Sequence, residues 1–318
     1  TLNNEISISQ GTDQMKLNHR TLLKALGSLG MYLGARAAGL APIFGLIGNA
    51  GAQGDAKKTL RWSLIPEPPS LVTAFNSAQM VQQISAKMMD GLLSYDKKFN
   101  PIGALATEWQ VAADGLSIRF NLRENVKWHD GVKFTSADVK YTFEEVLRKS
   151  HPRGRATFAN LESVDTPDEK TAVLKLSKPS AYIMAALSAS ESPMLPKHLY
   201  EKGEAAVNQL LSAPVGTGPF KFVEWQRGKF IKLVRNPDYW VKGQPGFDTL
   251  IVPFIPDAGS RAVAFEAGEL DVGGGDPVPL SDLPRIAKLP NLAVTTEGYA
   301  MFGAMYYFEF NMRDPQFK

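Results

Sequence analysis

The chain has 318 residues, 44% of them apolar, and a formal charge of +3. This near balance of acids and bases gives no electrostatic case for a nucleic-acid partner, and the apolar share is ordinary for a globular protein large enough to hold two cores. Cysteine is absent, which excludes disulfides, thiolate metal sites, a cysteine nucleophile and a lipid-modified cysteine anchor.

Residues 1–14 are polar and aperiodic, and Met15 reads as the initiator. Lys16, Arg20, Lys24 and Arg36 lead into an apolar run at 37–48, and Ala50-Gly51-Ala52 supplies small residues in an A-x-A pattern. This is the layout of a secretory signal peptide cleaved near Ala52, so residues 1–52 read as leader and signal and the mature protein as exported. The apolar run is about half of the roughly 20 residues needed to span a bilayer. His19-Arg20 stands where a twin-arginine export motif has two arginines, which makes general secretion the simpler route.

Residues 57–65 read as an opening strand, halted by Pro66, Pro68 and Pro69. A loop at 70–78 feeds a helix at 80–93, whose inner face carries Val81, Ile84, Met88 and Leu92. From 116 to 123 apolar and polar residues alternate strictly, the pattern of a half-buried strand. Turns at Asp114-Gly115 and Asp130-Gly131 bracket it and predict a small antiparallel meander. Thr135, with Asp138 three residues later, reads as a helix cap, and Val139, Phe143, Val146 and Leu147 follow on one helical face.

His151-Pro152-Arg153-Gly154-Arg155 is a basic turn, either a solvated loop or a place from which one arginine faces a ligand carboxylate. A strand at 172–176 and a helix at 204–211 follow. Pro214-Val215-Gly216-Thr217-Gly218-Pro219-Phe220 is a stiff loop with glycine backbone exposed, suited to close approach of a ligand or of a crossing strand. Strands are expected at 221–225, 230–235 and 249–255, a turn at 236–240, a helix and short strand across 258–272 with Gly268 as the stop, and final strands at 292–296 and 305–310.

No G-x-S-x-G elbow, Walker loop or G-x-G-x-x-G after a strand is present. His129 beside Asp130 reads as structural, because adjacent residues on a turn seldom converge on one point. Glu144 and Glu145 read as an exposed helix face rather than as metal ligands with His151. No catalytic residue, metal site or cofactor is expected.

The run WQVAADGLSIRFNLRENVKWHDGVKFTSADVKYTFE at 109–144 closely resembles the signature of the family 5 extracytoplasmic solute-binding proteins of ABC importers for dipeptides, oligopeptides and nickel. EPPSL, DGLLSYD at 90–96, PVGTGPF at 214–220, RNPDYW at 235–240 and GELDV at 268–272 extend the likeness in order from Leu60 to Lys318. The resemblance implies an α/β fold, the first lobe of a type II periplasmic binding protein with an additional small α+β domain. The lobe core would comprise 53–90 and 206–308, the additional domain 91–205, and 309–318 the start of a second lobe otherwise missing from this chain.

Carried over from the family, Ser77, Ala78 and Gln79, preceded by Phe75 and Asn76, would lay backbone along a peptide ligand. Thr217 and Gly218 would approach the cleft floor, Tyr306 its edge, and Arg155 would reach in from the additional domain. A monomeric receptor passing a peptide-like solute to an ABC permease is the leading reading. A non-functional truncated remnant and an exported enzyme are the alternatives.

Overall fold

The computed structural model describes residues 58–295, 310 and 313–317. The signal-like segment, Tyr306 and nearly all of the expected strand at 305–310 therefore lie outside the described residues. Residues 55–318 form one compact unit.

The strands in chain order are β1 (Thr59–Ser63), β2 (Leu93–Tyr95), β3 (Pro101–Gly103), β4 (Ala106–Val111), β5 (Ser117–Leu122), β6 (Leu161–Asp168), β7 (Thr171–Leu176), β8 (Phe220–Gln226), β9 (Phe230–Arg235), β10 (Thr249–Pro253) and β11 (Val272–Gly273). The helices are α1 (Gln79–Ser85), α2 (Ser136–Tyr141), α3 (Gly154–Thr157), α4 (Lys197–Tyr200), α5 (Glu204–Leu210), α6 (Ala258–Glu266) and α7 (Leu283–Ile286). A mixed sheet has the order β11-β1-β10-β9-β8, with β1 parallel to β10 and β11 and the remaining pairs antiparallel. A separate antiparallel sheet has the order β4-β5-β7-β6, and β2 with β3 makes a short hairpin.

The alternation that predicts β5 is realised from Ile118 on: Ile118, Phe120 and Leu122 are buried while Arg119 and Asn121 are exposed, but Leu116, expected on the same inner face, precedes the strand and is 38% exposed. The turn at Asp114-Gly115 joins β4 to β5 as expected. The second half of the meander is different. The turn at Asp130-Gly131 closes only a bridge between Lys127 and Lys133, and the other neighbour of β5 is β7, some fifty residues on. Long-range pairing wins here because β7 has its own buried set in Ala172, Leu174 and Leu176 to lay beside β5.

Thr135 and Asp138 form the expected capping box, the Asp138 carboxylate accepting from the Thr135 N–H at 2.9 Å. The helix runs on as a π turn through Thr142–Leu147, and Val139, Phe143, Val146 and Leu147 are all buried. The helix expected at 80–93 is shorter, ending at Ser85. Residues 87 and 88 instead offer their carbonyls to Phe220 and Gly218, and Gly91 offers its own to Leu105, so tertiary pairing overrides the apolar period. Residues 292–295, expected as part of a strand, are irregular, with Val294 42% exposed and so lacking the buried face that pins a register.

One continuous apolar core takes in residues of both sheets, from Leu64, Ile84 and Met88 through Phe120, Phe143 and Leu174 to Ile231 and Leu250. A smaller cluster of Ala262, Phe265, Leu270, Val278 and Ile286 lies around α6 and α7.

Candidate functional site

Two sequence-predicted segments flank opposite ends of α1. At its start, Asn76 is extended, with φ −152° and ψ 110°, and Ala78 is extended at −63° and 144°. The Asn76 side chain accepts from the Ala78 N–H at 3.0 Å, and Gln82 Nε2 donates to the Ser77 carbonyl at 3.1 Å. Phe75 stacks on Tyr200 with centroids 6.0 Å apart. Among the described residues the Ser77 N–H and the Asn76 carbonyl make no hydrogen bond, so this stretch is held by the Asn76 and Gln82 side chains with two backbone groups left for a partner.

At the other end of α1 lies the loop at 214–220. The Gly218 N–H donates to the Met88 carbonyl at 2.9 Å and the Phe220 N–H to that of Lys87 at 3.0 Å. A β-carbon at Gly216 would stand 1.9 Å from the Met88 carbonyl oxygen, and one at Gly218 2.5 Å from the Met88 carbonyl carbon. Both glycines are therefore required by the crossing segment at 88–89.

Beneath this loop a polar junction gathers groups from four stretches of sequence. His129 Nδ1 accepts from the Gly216 N–H at 3.2 Å, which puts the proton on Nε2, 3.0 Å from the Gly218 carbonyl. Asn236 Nδ2 donates to the same carbonyl at 3.0 Å. Burial holds the His129 imidazole down to about 4, the neutral form this geometry needs.

Asp90 is the centre of the junction. It is 8% exposed and accepts from the Thr217 hydroxyl at 3.0 Å, the Trp240 indole at 3.0 Å and the Tyr239 hydroxyl at 3.3 Å. Burial pushes its carboxyl above the usual range, against the lowering effect of these donors and of the Arg123 charge. Burial and the neighbouring Asp90 raise the Tyr239 phenol. Arg123 lies over the Trp240 ring, 4.2 Å from its centroid, with Nε bonded to the Ala104 carbonyl.

The Thr217 side chain thus faces Asp90 and is 1% exposed. Arg155 is exposed on α3; its neighbour Arg153 is the one that pairs with Glu191, by two guanidinium nitrogens. Two open surface depressions, about 500 and 440 Å³, lie along 144–163 and on the face of β4 and β5, and no predicted site residue lines either. No group of three His, Asp or Glu side chains fit to hold a metal occurs among the described residues.

Residues 100–318 match the model for bacterial extracellular solute-binding proteins, family 5 Middle. The chain belongs to this family. It is 31% identical over 237 residues to the oligopeptide-binding protein AppA of Bacillus subtilis, an alignment covering 71% of this chain and 42% of the relative. The structure of AppA with a nonapeptide is matched at a TM-score of 0.67 and 28% identity, over 74% of this chain and 47% of that one. The binding protein AgaA of A. tumefaciens R10, solved with agropinic acid, is matched at 0.66 and 34% identity, over 73% and 46%. The chain therefore spans half or less of the length of the relatives it matches.

In this family 5 chain, sequence reasoning missed the junction. Asp90 stands alone in an apolar run, and His129, Asn236, Tyr239 and Trp240 each sit in a motif with no local partner. A lone acid between Met89 and Gly91 was the available signal, since a buried carboxylate must find donors elsewhere in the chain.

Proposed function

We propose that the protein is a periplasmic receptor that captures a peptide-like solute and passes it to an ABC import permease, without catalysing a reaction on it. The observation that carries this reading is the extended backbone at Asn76 and at Ala78, with the Ser77 N–H and Asn76 carbonyl between them making no hydrogen bond among the described residues. Such a stretch pairs with a peptide as an added strand, binding main chain irrespective of side chains. Phe75, Asn76, Ser77, Ala78 and Gln79 form the pairing segment in this reading. Thr217 and Gly218, themselves buried, brace the floor from within, Tyr306 forms an edge, and Arg155 is a donor for a ligand carboxylate.

The domain organisation we infer has a first-lobe core of 53–90 and 206–308 and an additional domain of 91–205. The peptide ligands of relatives such as AppA support a peptide-like solute. We take the protein to be exported, cleaved near Ala52, and to act as a monomer. Isothermal calorimetry of the purified protein against a mixture of short synthetic peptides is expected to give saturable heat with the peptides recovered intact. Hydrolysis of the peptides contradicts the receptor reading, and absence of heat contradicts the peptide ligand.

A further inference from the structure

We propose that Asp90 is a positioning residue that sets the Thr217–Gly218 loop and couples it, through Trp240, to Arg123 of the β4–β5 region. The relevance of that loop to a ligand rests on the function proposed above; the coupling itself does not.

Three donors from two distant segments converge on one carboxylate: the Thr217 hydroxyl, the Tyr239 hydroxyl and the Trp240 indole. The indole N–H is only a donor, so its orientation is fixed by having Asp90 as acceptor. The face of that ring carries the Arg123 guanidinium at 4.2 Å. The ring thus stands between an anion at its edge and a cation on its face, and each strengthens the hold of the other.

Arg123 is in turn fixed to the sheet region. Its N–H donates to the Leu105 carbonyl at 2.7 Å and its Nε to the Ala104 carbonyl at 3.0 Å, while the Leu105 N–H reaches the Gly91 carbonyl beside Asp90 at 3.2 Å. The circuit from Asp90 through Trp240 and Arg123 to Leu105 and Gly91 is closed. If Asp90 only filled space, an apolar residue of similar volume would serve, and the three donors would not aim at it.

The test is amide hydrogen exchange by mass spectrometry on Asp90→Asn, Asp90→Leu, Arg123→Met and the Asp90→Leu/Arg123→Met double variant, with the Trp240 indole N–H resonance followed by NMR. Asp90→Leu is expected to speed exchange at 215–220 by roughly tenfold or more, the scale of losing a buried acceptor, and to move the indole resonance while 117–122 stay as protected as in the wild type. Arg123→Met is expected to do the same in part, and the double variant no more than Asp90→Leu. Asp90→Asn, which keeps one carbonyl acceptor, is expected to fall between, and it carries the test if Asp90→Leu does not fold. Unchanged exchange at 215–220, or fully additive single effects, overturns the proposal. Peptide calorimetry on the wild type separates the two claims: no heat refutes the peptide ligand with the exchange result standing, whereas binding by wild type alongside unaltered exchange in the variants refutes only the positioning role.

Discussion

In β5 the inward residues Ile118, Phe120 and Leu122 are 2%, 0% and 5% exposed, and ladders to β4 and β7 fix the strand on both sides. The loop at 214–220 has no such periodic support. It is held by single polar groups, with His129 and Asn236 on the Gly218 carbonyl and Asp90 on Thr217, and by glycines that let the 88–89 backbone through. The first region spreads its stability over many small apolar contacts. The second concentrates it in a few desolvated groups whose charge state matters.

The sharpest way to break this comparison is Phe120→Ala. Removing a fully buried ring from the sheet is expected to cost about 4 kcal/mol in urea unfolding. A cost near that of a surface change would show that the sheet is not held by its apolar face.

The next test is pH. The folded-state His129 lies at about 4, below the ordinary 6.5, because burial disfavours its charged form. Its contribution is therefore complete above pH 6.5 and is lost as the pH falls through 4, on the order of 3 kcal/mol in all. His151, also lowered by burial, acts in the same direction. Asp90 and Asp138, raised by burial, act in the opposite one, favouring the fold at low pH and losing that contribution as pH rises through their folded values. A His129→Leu variant leaves those groups in place, so the difference between its stability-pH curve and that of the wild type isolates His129. Parallel curves between pH 6.5 and 4 contradict the assignment.

Smaller effects sharpen the picture. Thr135→Ala, which removes a helix cap, is expected to lower stability by about 1 kcal/mol. Lys133→Ala breaks a 2.6 Å pair with Glu169 whose side chains are 55% and 68% exposed, and the smallest change of the series in chemical unfolding is expected, below that of Thr135→Ala.

The legibility of the fold follows the same division. β5, its hairpin turn, the cap at Thr135 and the buried face from Val139 to Leu147 were readable because local period and local chemistry specify them. The pairing of β5 with β7 and the early end of α1 were not, since both depend on segments distant in sequence. For the candidate site, the sequence showed that glycines at 216 and 218 imply close approach, and left open what approaches. Met88, read only as part of a helix's inner face, and its neighbour Met89 supply that backbone. Asp90 offered a signal as a lone acid, but its partners could not be read, because its three donors lie 127 to 150 residues away along the chain.

The most direct test of the account is amide exchange on the wild-type protein with and without the peptide mixture. The account predicts that 75–79 gains protection when peptide is added, as the Ser77 N–H acquires a partner, while 215–220 is already protected beforehand by Asp90, His129 and Met88 and changes little. Unaltered exchange at 75–79 in a protein that binds peptide, or a loop at 215–220 that exchanges freely until peptide arrives, would contradict it.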